Sequence, residues 1–284
     1  MAAGDIFANA GIPAVANSAT NPSVTALCDY YWRICFLDPF QGTVMANFAK
    51  DMGINKVYIL TMLGEDYGFG LGINFADAFA ALGGETISDT FPEGNSDFTA
   101  YINNAISAGC DAIFCPSSTP YASLIIDQAA AQGVTFPIMA GDTWDSSVTL
   151  EAAQGKEVAV YISSFFDEGD ASEAAGEFIN GFKAWLNADA AKMTDNGGND
   201  IVAAVSALGF DGYNTVIAAI QAADSVDSEA IAQALPALAY TGVTGSISFD
   251  ATGDAVKDTA YIKQVRNDEL AFQFVKIQTV ADNK

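Results

Sequence analysis

The sequence predicts an α/β protein built on a parallel, doubly wound sheet. From Lys56 onward, short apolar runs rich in β-branched residues alternate regularly with stretches of helical period, the pattern that strands and crossover helices produce. Each run is followed by small and polar residues. In open α/β sheets, small ligands bind at such carboxyl ends of strands. The composition, 51% hydrophobic and 16% charged over 284 residues, fits one large or two small domains with a sizeable core.

Taken in order, Met1–Ala10 reads as the back half of a helix ended by Gly11. Ile12–Ala16 is a strand, followed by a small-residue turn over residues 17–22, a short helix, a second strand over Tyr31–Phe36 and a loop over Leu37–Gln41. Gly42–Met52 has Val44, Met45, Phe48 and Ala49 at helical spacing. Lys56–Thr61 is a buried strand, and Glu65 opens a helix that Gly83 and Gly84 end. Strands follow at Glu85–Phe91, Asp111–Cys115, Pro137–Ala140 and Val158–Ser163, with helices at Phe98–Ala108 and Tyr121–Gln132 between them. Ala171–Leu186 is a long helix, Ala188–Asn199 a polar, Gly-rich linker, and Ile201–Ala223 and Ser228–Leu235 are helical. A turn over Gly242–Gly245 leads to strands at Ser246–Phe249, Ala260–Val265 and Phe272–Ile277.

The formal net charge is −24, from 35 acidic and 11 basic residues, which argues against nucleic acid or an anionic membrane as partner. The most apolar window, Ile201–Ala223, is broken by Asp211 and Asn214 and does not read as a membrane span. No basic segment followed by an apolar one marks a signal peptide. With no histidine in the chain, a Ser-His-Asp or Cys-His arrangement cannot form, and no cluster suggests a metal or a cofactor. Cys28, Cys35, Cys110 and Cys115 read as buried free thiols, because each pair flanks a strand too extended to bridge.

Several residues carry candidate chemistry. After the first strand, Ser18 and Thr20 place two hydroxyls and several N–H groups where a carboxylate fits; the competing reading is helix capping. Asp142, in Gly141-Asp142-Thr143-Trp144-Asp145 just after a strand, suits an ammonium group; here too a cap is the alternative, which Asp145 or Ser146 could supply. Trp144 is a candidate pocket wall. Phe40 is a candidate lining residue, and Asp211, a carboxylate inside an apolar helix, either faces a ligand or bonds to neighbouring backbone. Gly68-x-Gly70-x-Gly72 at a helix start could cradle a phosphate, but its spacing is not GxGxxG.

The runs SATNPSVT (18–25) and YYWRICFLDPFQG (30–42) resemble the extracytoplasmic solute-binding proteins of the branched-chain amino acid and amide uptake family of ABC importers. EDYGFGL (65–71), GNSDFTAYI (94–102), DAIFCPS (111–117), MAGDTWDS (139–146) and YTGVTGSISFDATGD (240–254) agree in the same order. The resemblance implies the type 1 periplasmic-binding-protein fold: two hinged lobes with parallel, doubly wound sheets. The lobes expected are 1–38 with 165–265, and 39–164 with 266–284. Family members carry about three further strand–helix units before the first strand here, on the order of a hundred residues, so the first lobe is expected to be incomplete. The resemblance also implies an extracytoplasmic location and no enzymatic activity. An amino acid, of branched-chain type, or an amide is captured between the lobes and handed to a membrane permease. Ser18 and Thr20 then hold the ligand carboxylate, Asp142 its amino group, and Tyr67 covers it. Ser118 stands where the family often has an aromatic residue, which implies a wider or more polar pocket that Tyr121 could partly fill. Two further readings remain: a sensory or regulatory module of the same fold, and a nucleotide-dependent α/β enzyme using the Gly68–Gly72 turn.

Overall fold

The structure is a computed structural model that describes residues 3–169, 172–279 and 282. In chain order it forms α1 (Gly4–Ala10), β1 (Ala14–Ala16), α2 (Ser23–Ala26), β2 (Tyr31–Arg33), α3 (Asp38–Asp51), β3 (Lys56–Met62), α4 (Asp66–Ala81), β4 (Glu85–Phe91), α5 (Thr99–Ser107), β5 (Ala112–Phe114), α6 (Pro120–Ala131) and β6 (Ile138–Ala140). A single 3-10 turn, Asp142–Trp144, leads to α7 (Ser147–Ala153) and β7 (Val160–Ser164). Then come α8 (Glu173–Asn187), α9 (Ala190–Asp195), α10 (Ala204–Ala223), α11 (Ser228–Ala234), β8 (Ala239–Gly242), β9 (Gly245–Ser248), β10 (Thr259–Val265) and β11 (Phe272–Thr279). By internal contacts the chain divides into two compact units, Met1–Leu37 with Phe165–Asp258, and Asp38–Ser164 with Thr259–Lys284.

The second unit carries the larger sheet, ordered β11-β10-β7-β6-β5-β3-β4 among the described residues. From β4 to β7 all pairings are parallel. β3 is buried along Val57–Thr61, the continuous apolar run of a strand covered on both faces. β4 is the outer strand, with Glu85, Ser88 and Thr90 exposed; polar residues along an edge discourage edge pairing. The strand order reverses between β3 and β5: the chain steps outward to β4, then crosses to the other side. That is the topological switch point, where open α/β sheets place their ligands.

Glycines let the helices approach. A Cβ on Gly42 would lie 2.7 Å from Phe75 N, so α3 and α4 pack backbone to backbone there. A Cβ on Gly68 would collide with Pro116 O, and one on Gly72 would lie 3.0 Å from Thr61 Cγ2. Close packing of α4 on β3 and on the loop after β5 therefore accounts for both glycines without a phosphate.

The first unit contains the parallel pair β1–β2, with Val15 opposite Trp32, and the hairpin β8–β9. Trp32 is buried with Ala219, Ala232 and Leu235 of α10 and α11 and the turn that follows. A cavity of about 1080 Å³ lies along α8, α10 and β8, lined by Phe178, Phe182, Trp185, Phe210 and Tyr240.

Several expectations are corrected. The loop expected at Leu37–Gln41 is the first turn of α3, which starts at Asp38; Pro39 is tolerated there because first-turn N–H groups have no helical partner. The polar stretch after Asn187 contains α9, capped by the Asp189 side chain on Ala191 N. Residues 259–265, expected with the first lobe, belong to the second unit, because β10 pairs antiparallel with β7. All four cysteines are buried and outside any disulfide.

Candidate functional site

In the second unit the candidate residues gather at the carboxyl edge of the parallel strands. The 3-10 turn after β6 puts the Asp142 carboxylate in reach of two donors. Gln41 Nε2, from the first turn of α3, donates to Asp142 Oδ1 at 2.8 Å, and the Tyr67 hydroxyl, from the first turn of α4, donates to the same oxygen at 2.9 Å. Gln41 Nε2 also donates to Ser163 Oγ of β7 at 2.8 Å, and Gln41 Oε1 is buried without a partner. Both donors go to Oδ1. Asp142 is only 7% exposed. Burial pushes its carboxyl up to about 6, with the bonds from Gln41 and Tyr67 opposing the rise. Burial also drives the Tyr67 phenol well above its ordinary range, so it stays a donor.

The neighbouring Asp145 is tied down separately. Its Oδ2 accepts from Lys263 Nζ of β10 at 3.0 Å and from Ser164 Oγ of β7, in a pair that is almost wholly buried. This fixes the end of the turn that carries Asp142. Trp144, expected as a pocket wall, has no exposed surface. Its indole N–H donates to Ser117 O at 3.0 Å, while Thr143 Oγ1 donates to the same carbonyl and Thr119 Oγ1 donates to Thr143 O. Trp144 thus binds the loop after β5 to the turn after β6.

Ser118 Oγ donates to Glu65 Oε1, across the switch point between β5 and β3. Burial raises the Glu65 carboxyl, and its Oε2 has no hydrogen-bond partner. Tyr121 does not fill in for the missing aromatic: its ring packs edge-on against Phe91 and Phe98, and its hydroxyl accepts from Gly94 N. Phe40 lies half-buried on α3.

In the first unit, Ser18 is exposed and Thr20 only 2% exposed, on the turn after β1. The Thr20 hydroxyl has no hydrogen-bond partner, a costly state for a buried hydroxyl unless a ligand completes it. Gly212 of α10 makes room for the Asn17 side chain just before Ser18, since a Cβ there would collide with Asn17 Oδ1. Asp211 is a backbone anchor, the second of its two readings. Its carboxylate accepts from Val243 N, Thr244 N and Thr244 Oγ1 at 2.9, 2.8 and 2.6 Å and so holds the β8–β9 turn.

Sequence reasoning missed Gln41, Glu65 and Ser163. A Gln one turn into a helix was the available signal, hidden because that turn read as a loop. Among the described residues no group of three or more His, Cys, Asp or Glu is placed to hold a metal ion, and no helix is long and apolar enough to cross a membrane.

A Leu/Ile/Val-binding protein homolog from Brucella abortus is 28% identical over 260 residues, covering 89% of this chain and 65% of its own length. The chain thus spans about two thirds of the curated relatives it matches. A leucine-binding protein, LivK, from Thermotoga maritima has a solved structure that superposes with a TM-score of 0.86 at 31% identity, over 98% of this chain and 76% of its own. LivJ from Streptococcus pneumoniae, solved in complex with isoleucine, gives 0.83 at 27% identity, over 98% and 75%. These likenesses establish the type 1 periplasmic-binding-protein fold. The family model described as periplasmic binding protein matches residues 1–269. Glu65, Asp142 and the polar turn after β1 therefore sit on this fold, and the chain belongs to the periplasmic binding protein family.

Proposed function

We propose that this chain is the ligand-binding part of an extracytoplasmic solute receptor that captures an amino acid, of branched-chain type, for an ABC importer. The observation that carries the reading is the Asp142 carboxylate: buried at the carboxyl edge of the parallel strands, held on one oxygen by Gln41 and Tyr67, and, among the described residues, without a cation against it. An ammonium group supplies the missing donors and the compensating charge, in a buried setting where charge-assisted bonds are strong. The ligand carboxylate goes to Thr20 and Ser18, where a buried hydroxyl lacks a partner. Apolar walls then select the side chain. Binding acts as a receptor signal by favouring one conformation over another, and a membrane permease reads the bound form. The reading gives the chain no catalytic role.

A thermal-shift panel of the twenty amino acids, small amides, urea, NAD and ATP tests this. Ligand at about 100 times its dissociation constant adds about 2.7 kcal/mol. A shift confined to aliphatic amino acids is expected. A shift with nucleotides alone, or with no amino acid, overturns the reading.

A further inference from the structure

Arg33 is fully buried, yet its guanidinium touches none of the candidate ligand-binding side chains. Its five N–H donors are all used. Nε donates to Asp254 Oδ1 at 2.5 Å; Nη1 donates to Ala19 O and Asn21 O, both at 2.8 Å; Nη2 donates to Thr25 Oγ1 at 2.7 Å and to Pro22 O at 3.3 Å. Three of these acceptors are main-chain carbonyls of the turn that carries Thr20, and two of them flank Thr20 on either side. Thr25 Oγ1 donates in turn to Asp254 Oδ1 at 2.6 Å. The Asp254 end is itself fixed. Asp250 Oδ1 accepts from Asp254 N, and Gly253 O accepts from Arg33 N at 3.0 Å, at a glycine with φ +83° whose Cβ would lie 2.6 Å from Tyr31 O.

A buried guanidinium with every donor used is a rigid template. It pulls the carbonyls of residues 19, 21 and 22 to one side. In a tight turn that sets where the N–H groups and the Thr20 hydroxyl point. The cation is paired with Asp254 at 2.5 Å, so what Arg33 supplies to the turn is its geometry and not a net charge.

We propose that Arg33, clamped by Asp254 and Thr25, is the positioning residue of the carboxylate-binding turn, shaping it for a ligand carboxylate that Arg33 itself never contacts. This rests on the amino-acid reading above. The planar five-donor fork is what the site needs, and a lysine keeps the charge but supplies only a single ammonium point.

The test is calorimetric titration of wild type, Arg33→Lys and Asp254→Asn with L-leucine and with L-leucinamide, which keeps the ammonium and side chain but lacks the carboxylate. Far-ultraviolet circular dichroism melts accompany each variant. Arg33→Lys is expected to weaken leucine binding about tenfold or more, the scale of one misplaced hydrogen bond to a charged group, while leucinamide binding changes less than about twofold. Asp254→Asn is expected to give the same selective loss to a smaller degree, and it carries the test if Arg33→Lys does not fold. A merely structural role lowers both affinities by the same factor, and that outcome, or an unchanged leucine affinity, overturns the proposal. If wild type binds neither leucine nor any other amino acid, the amino-acid reading fails, and the positioning role fails with it.

Discussion

Tyr67 donates its hydroxyl to Asp142 Oδ1 across 2.9 Å, joining the first turn of α4 to the turn after β6. Gln41 donates to the same oxygen from α3. Two donors from two helices on a single oxygen fix the orientation of the carboxylate.

This carboxylate makes binding pH-dependent. Asp142 carries a folded-state pKa of about 6 against an ordinary 3.8. Between those values the folded chain holds more protons than the unfolded one. The contribution of this group to stability is therefore fully present below 3.8 and lost as pH rises to about 6. Binding runs the other way, because an ammonium needs the ionised form. Affinity for leucine should fall about tenfold per pH unit below the folded-state pKa and level off above it. Titrations from pH 4.5 to 8 check this on the wild type. Gln41→Leu, which removes a donor to the carboxylate, should move the midpoint upward, and Asp142→Asn should give a weak, flat profile.

Thr20→Val separates binding from stability. The change keeps the shape of the side chain and removes a buried hydroxyl that has no partner. The ligand-free protein should be as stable as wild type or more so, by about 1 kcal/mol. Leucine affinity should drop about tenfold. Urea denaturation without ligand, beside calorimetry with it, reads the two signs independently; a loss in both would place the hydroxyl in the structural frame instead.

Lys263→Met strands a buried charge. Asp145 and Lys263 are 4% and 3% exposed at their side chains. Breaking such a pair from one side costs about 3–5 kcal/mol, because the remaining ion is left uncompensated. The double variant Lys263→Met with Asp145→Leu should recover most of that loss in the same urea midpoint measurement.

Gly68→Ala addresses the tyrosine through packing. The added methyl meets Pro116 O and lies 2.8 Å from Glu65 Oε2, so the start of α4 has to shift. A stability loss of about 1–3 kcal/mol is expected. The Tyr67–Asp142 bond should loosen with it, seen as a further rise in the pH midpoint of leucine binding. Binding of ATP should be absent before and after.

The regular alternation of β3 through β7 was legible because fully buried parallel strands leave compact apolar runs between helical ones. Glu85–Phe91 was placed to the residue, since Gly83 and Gly84 mark where α4 ends. Asp142 was a candidate because it follows a strand, the position where parallel sheets carry ligands, and Tyr67 because EDYGFGL resembles the family's own segment. The partners that aim them were not legible. Gln41 belongs to a turn that Pro39 and Gly42 disguise as loop. Arg33 is one cation in a short strand, and its acceptors lie up to 221 residues away in sequence. Trp144 was read as a wall because an aromatic beside a candidate acid looks like lining; its indole N–H instead satisfies a carbonyl inside the unit. Asp211 marks the same boundary: its apolar helical surroundings flagged it, and only the fold could show that the β8–β9 turn was the reason.

The larger sheet takes its last two strands from residues 259–279: β10 lies against β7, although all of Phe165–Asp258 is made between them. A ribosome delivers the chain from the amino end at about 5–20 residues per second. During that interval β7 is an open edge, and Asp145 has not yet met Lys263. Synthesis order thus holds the second unit short of completion until β10 and β11 have emerged. The β10–β11 hairpin closes that edge and brings Lys263 to Asp145.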